Sequence, residues 1–263
     1  LLADSKPATA IGRWPVESGR KESIAISPSR RFLALALLSS AAPFGAAAPA
    51  VPAASPSIQA RIDAGWQVQR RWTAVTANGS FVYDFTLKAW NGAGKLRESF
   101  TRVVRVFNRG EEHRSEVLSA TKDGRDVTAE ARSDEAKSER PRGKGKDDFP
   151  SPFDPAYRDR YAFSEETAPD GGAVLVFGPR EAFDGAIEGR AKFDAAGALR
   201  RADFAPAKKP SFTRQLAFTI IIGPDGYPER IDASGEVSLV IWRRKFESTL
   251  LLRDVRAGDQ EAP

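Results

Sequence analysis

The chain reads as a mainly β (α+β) protein. The expected architecture is a single curved antiparallel sheet forming a half-barrel, with an N-terminal helix and a short helical or disordered lid inserted between strands. Three observations predict it. After Asn78-Gly79 the apolar period changes to two, and it returns in one segment after another toward the C-terminal end. The segments are joined by short Gly-containing turns, which connect antiparallel neighbours rather than parallel βαβ units. Each segment has one apolar and one charged face, so the sheet wets one side and buries the other. One helix and one weak middle helix are too little to cover about nine or ten strands laid flat, so the sheet must curl on itself. A flat two-layer sandwich is the alternative.

Taken in order, residues 1–53 read as a leader and signal peptide. Arg30-Arg31 precede the apolar run Phe32-Leu-Ala-Leu-Ala-Leu-Leu, and Ala48-Pro49-Ala50 and Val51-Pro52-Ala53 offer the small residues a signal peptidase reads. An uncleaved anchor is the competing reading, although the second half of the stretch is mostly Ala, Ser, Gly and Pro. Ser29-Arg30-Arg31-Phe32-Leu33 also resembles a twin-arginine export motif, which leaves the export route open. Either route places the mature chain in the periplasm or another extracytoplasmic compartment, with residues 54–263 as its single domain.

That domain opens with a helix over Ser57–Val75, where Ile58, Ile62, Trp66, Trp72 and Val75 recur near helical spacing and Ser57 is placed to cap. Phe81, Tyr83, Phe85, Leu87 and Ala89 then alternate with more polar residues, which predicts a half-buried strand. Strands follow over Glu98–Phe107 and Glu111–Ala120. Thr128–Glu139 fits a short helix, polar on nearly all sides, and the Gly-, Pro- and charge-rich stretch after it makes residues 128–148 a mobile charged insertion. Phe149–Pro155 returns aromatics and prolines to the body. Further strands are expected at Ala173–Phe177, Ile187–Phe193 and Leu199–Phe204, and then where Phe212, Leu216, Phe218, Ile220 and Ile222 alternate with more polar positions. Pro224-Asp225-Gly226 turns into Tyr227–Ala233, and Ser234-Gly235 is expected to turn into a long strand from Val237 to Val255.

Composition excludes much chemistry. The chain has 263 residues, no Cys and one His, which removes disulfides, thiolate zinc sites, iron–sulfur clusters, cysteine nucleophiles and multi-histidine metal sites. No metal, cofactor or catalytic residue is expected. His113 lies among Glu111, Glu112, Arg114 and Glu116 and reads as a solvated strand histidine. Asp147, Asp148, Asp154 and Asp159 lack the spacing of a calcium loop. Arg243-Arg244-Lys245 reads as charge protecting an edge strand, with an anionic-headgroup patch as the other reading. The formal charge is +5, but residues 1–53 hold six basic and three acidic side chains, so the remainder carries only +2 and nucleic acid is not an expected partner.

The element order, the Asp225-Gly226-Tyr227-Pro228 turn between two long strands and the closing strand Phe246–Arg253 resemble the LolA/LolB-like superfamily of periplasmic lipoprotein carriers. The resemblance covers about residues 55–256, and the long insertion at 128–148 departs from it. It implies a monomeric carrier, not an enzyme, that binds lipid or lipoprotein acyl chains in an apolar cavity and works with membrane-associated transport partners. Cavity candidates are Phe81, Tyr83, Phe85 and Leu87 on one strand and Phe212, Leu216, Phe218 and Ile220 on another; ordinary core is the competing reading of each. The alternative function on the same scaffold is a non-catalytic binding or regulatory module similar to RseB-type sensors.

Overall fold

The structure is a computed structural model and describes residues 56–110, 112–138, 150–209, 213–239 and 242–258. The leader expected over 1–53, Phe212 and residues 139–149 lie outside the described residues.

Helix α1 (Pro56–Ala77) leads directly into β1 (Asn78–Asn91), β2 (Leu96–Arg109), β3 (Glu112–Lys122) and the two-residue β4 (Arg125–Asp126). Helix α2 (Thr128–Ser138) follows. The chain resumes as a meander of β5 (Tyr161–Thr167), β6 (Ala173–Pro179), β7 (Ile187–Phe193), β8 (Leu199–Pro206), β9 (Thr213–Ile222), β10 (Pro228–Leu239) and β11 (Trp242–Ala257). These eleven strands form one sheet in the order β4-β3-β2-β1-β11-β10-β9-β8-β7-β6-β5, antiparallel throughout. The sheet is open, ending at β4 and β5. Register shifts interrupt the β1–β11, β1–β2, β9–β10, β2–β3 and β7–β8 ladders, and such bulges bend and coil a sheet.

Helix α1 starts one residue earlier than expected, at Pro56, whose fixed φ and missing N–H suit a first helical turn. It lies across the sheet and packs on β1, β2, β5, β8 and β11. Its N-terminal half sends Ile58, Ile62 and Trp66 into a core built from β5 to β9, and its C-terminal half sends Trp72 and Val75 into a second core on β1, β2, β3 and β11. Ile231 of β10 touches both, so the two cores meet at the middle of the sheet. Trp72 is completely buried, its ring 5.2 Å from that of Phe81.

Two details differ from the expectation. Ser234-Gly235 is not a turn: β10 runs through it to Leu239, which pairs with Trp242. A Cβ on Gly235 would lie 2.6 Å from the Phe246 ring on the neighbouring strand, so this glycine makes room for an aromatic rather than reversing the chain. Strand β5 carries no clean alternation in sequence and is found only by its pairing with β6.

The Pro-rich return docks through a helix glycine. Phe153 lies against Gly65, where an added Cβ would fall 2.5 Å from the ring. Gly65→Ala gains helix propensity of about 1 kcal/mol, yet overpacking at such a contact costs about 1–3 kcal/mol. The expected result in urea denaturation is a net loss of stability, opposite to the usual helix Gly→Ala gain. Nearby, the fully buried Tyr161 donates its hydroxyl to the Pro150 carbonyl at 2.7 Å and accepts from the Ile187 N–H at 3.3 Å. Tyr161→Phe strands both backbone groups and should lower unfolding free energy by about 1–3 kcal/mol.

Candidate site on the inward face of the sheet

Strand register places the candidate residues. On β1, Phe81, Tyr83, Phe85 and Leu87 share the face that meets α1. Across the β1–β11 ladder, Phe85 stands opposite Leu250, Leu87 opposite Ser248 and Ala89 opposite Phe246. Continuing over β10, Leu250 faces Ile231, Ser248 faces Ala233 and Phe246 faces Gly235. On β9 the partners of Ile231, Ala233 and Gly235 are Ile220, Phe218 and Leu216. The seven described candidates therefore share one face; all are buried except Leu216, which is half-buried.

Between the two groups one row of the inward face is made of small residues. Ala233 of β10 and Ser248 of β11 separate an aromatic bank on β8 and β9 from a second bank on β1 and β2, while in the next row the Phe246 ring fills the space over Gly235. In the first, Phe218 stacks on Phe204 with centroids 5.2 Å apart; in the second, Phe85 and Phe100 lie 6.4 Å apart. Phe218 and Leu87 are three strand intervals apart, about 14 Å at ~4.8 Å per interval. Large side chains thus flank the Ala233–Ser248 pair, both of which are buried. Helix α1 passes toward one end of this face: Arg71 of the helix reaches Gly226 in the β9–β10 turn, and Arg61 reaches Gly197 in the β7–β8 turn.

One wall carries a buried charge. Arg102 of β2 stands opposite Phe85 and Ala120, on the inward phase otherwise held by Phe100, Val104 and Val106. Its side chain is only 7% exposed and donates from Nη2 to Glu135 Oε2 of α2 at 2.6 Å; its Nε has no hydrogen-bond partner among the described residues. Ser115 of β3 donates to the other Glu135 oxygen. Arg132 adds bonds from Nε to the Val117 carbonyl at 2.8 Å and from Nη2 to the Leu118 carbonyl at 3.3 Å. Asp126 accepts the Thr128 N–H at 2.8 Å at the start of the helix, and Thr128, through its side chain and N–H, holds that carboxyl below its ordinary value. Thr128–Ser138 is thus a polar helix fastened to β3, with Glu135 buried against Arg102. It is not a free flap.

Other polar candidates are accounted for locally. His113 Nδ1 lies 2.6 Å from Asn108 Oδ1 on the adjacent strand. Asp154 accepts the Ala156 N–H at 2.8 Å and shapes its own loop. Among the described residues no cluster of three or more His, Cys, Asp or Glu could hold a metal ion. No described helix is long and apolar enough to cross a membrane. The edge-protection reading of Arg243-Arg244-Lys245 is overturned, because β11 is a central strand flanked by β1 and β10.

No family model matches the chain, and no curated protein matches it in sequence. Among solved structures it is similar to a domain assigned to an outer membrane lipoprotein-sorting protein from Vibrio parahaemolyticus, at 15% identity over 77% of this chain and 95% of that one, with a TM-score of 0.34. It is also similar to a DUF1329 family protein from Desulfovibrio piger, at 14% identity over 79% of this chain and 95% of the other, with a TM-score of 0.32. The MucA/MucB complex of Pseudomonas aeruginosa overlaps at 10% identity over 76% of this chain and 99% of the matched one, with a TM-score of 0.20. The superpositions are loose, and the site rests on this chain's own residues.

Proposed function

We propose that the chain is a non-catalytic extracytoplasmic carrier that holds a lipid or lipoprotein acyl chain in a trough on its inward face. The observation that carries this reading is the pair of small residues, Ala233 and Ser248, facing each other between two aromatic banks. A filled core at the centre of a sheet this wide would place large residues there; small ones leave width for a flexible apolar chain. Moving about 15 CH₂ groups out of water yields about 12 kcal/mol gross at ~0.8 each. Association costs of about 4–15 kcal/mol reduce that to reversible binding, which a carrier requires. Helix α2 is fastened on the β3 side of the second bank through Glu135.

The test is titration of the full-length chain with a fluorescent fatty acid. A saturable rise in emission, displaced by unlabelled palmitate and little affected by salt, is expected. Absence of saturable, displaceable binding would contradict the reading.

A further inference from the structure

With edge protection removed as an explanation, the cations of β11 need another. They lie at the end of the sheet away from the β9–β10 and β7–β8 turns that α1 reaches. In the register, Asn91 pairs with Arg244 and Trp90 with Lys245, and the β1–β2 turn presses Gly92 against Arg243, where an added Cβ would sit 3.3 Å from the Arg243 Cβ. Arg214 of β9 comes to the same end, 4.0 Å from Glu236 of β10, which also accepts Arg243 Nε at 2.5 Å. Lys95 and Arg97 extend from the β1–β2 turn. Six cations gather here (Lys95, Arg97, Arg214, Arg243, Arg244, Lys245) with Glu98 and Glu236, a net of +4. One row further in, Glu247 pairs with Lys245 Nζ at 2.9 Å, and its charge is offset by Lys88 opposite it in the ladder.

The same end exposes apolar surface. Leu96 is 46% exposed and stands opposite Trp90 in the ladder, while Lys245 Nζ sits 5.7 Å from the centre of the Trp90 ring. Tryptophan and leucine set among cations match a bilayer interface, where the indole rests at headgroup depth and basic side chains meet phosphates. A merely solvated turn needs neither. We infer that this end of the sheet docks on an anionic lipid bilayer, with Leu96 and Trp90 at the headgroup boundary and Arg214, Arg243 and Lys245 on lipid phosphates. The inference does not depend on what the trough holds.

The chain has no cysteine, so a single Ala93→Cys in the β1–β2 turn can carry an environment-sensitive fluorophore on the full-length protein. Ala195→Cys, exposed in the β7–β8 turn at the opposite end, is the control. The readout is local, so binding through another segment does not mimic it. Vesicles of phosphatidylcholine with phosphatidylglycerol should shift the emission of the probe at 93 to the blue, and phosphatidylcholine alone should not. The probe at 195 should remain in water with both. Each cation near an anionic surface is worth about 1 kcal/mol, or about fivefold. Arg243→Gln with Lys245→Gln should therefore raise the vesicle concentration for half-maximal shift at least about tenfold, with an unchanged circular dichroism spectrum. Equal responses from the two probes, no response at 93 to anionic vesicles, or an unchanged half-maximal concentration in the folded double variant would each overturn the inference. Binding of position 93 to soluble acidic protein but not to vesicles would overturn it in favour of a protein partner.

Discussion

Replacing Glu135 with leucine is expected to lower the unfolding free energy by about 3–5 kcal/mol, because it leaves the Arg102 guanidinium buried without its counter-ion. Arg102 is 7% exposed, and its Nε already lacks a partner among the described residues. Glu135→Leu removes the 2.6 Å bond to Nη2 and strands the Ser115 hydroxyl as well. Adding Arg102→Met should restore most of the loss, since replacing both members of a buried pair with apolar residues of similar size is often neutral or stabilising. Urea denaturation of the two variants measures this. A loss below about 1 kcal/mol in Glu135→Leu, the level of an exposed pair, would show that α2 is not held by this contact. The carrier reading adds a functional consequence. The double variant replaces a polar fastening with an apolar one, so its fatty-acid uptake should differ from wild type even where stability recovers.

Ala233→Phe should abolish uptake of a fluorescent fatty acid, weakening it at least about tenfold, while leaving the protein folded. Ala233 is buried at the centre of the floor, between Ser248 and Phe218 in the two ladders. A phenyl ring there occupies the width that the trough reserves. Two outcomes are separable by stability. If the space is open, filling it costs little and adds buried apolar contact. If the site is jigsaw core, the ring forces its neighbours off their rotamers at about 1–3 kcal/mol. Full uptake by a folded Ala233→Phe variant would remove Ala233 from the binding surface.

Much of the fold was legible because period-two alternation survives wherever one sheet face is wet. β1 reads off Phe81-x-Tyr83-x-Phe85-x-Leu87, and the register then places Leu216, Phe218 and Ile220 of a distant segment on the same face. What alternation cannot give is the meaning of an exception. Gly235 has the local chemistry of a turn, and only the Phe246 ring across the ladder shows why a glycine belongs inside that strand. Strand order is also hidden: Arg243-Arg244-Lys245 suits an edge, and pairing β1 with β11 makes it central. Arg102 could have been noticed as a charge on the apolar phase between Phe100 and Val104. Its partner Glu135 could not, because α2 is polar all round and buries one carboxylate rather than an apolar stripe. The proposed floor escaped for a related reason: Ala233 and Ser248 define it by their small size, which leaves little trace in a hydrophobic pattern.

Photo-crosslinking with a diazirine-bearing fatty acid, followed by peptide mass spectrometry, tests the carrier reading most directly. The account predicts label on the inward residues of β9, β10 and β11, centred on Phe218, Ala233 and Ser248, and lost on competition with palmitate. Label confined to the outward face, or label that palmitate does not displace, would contradict it.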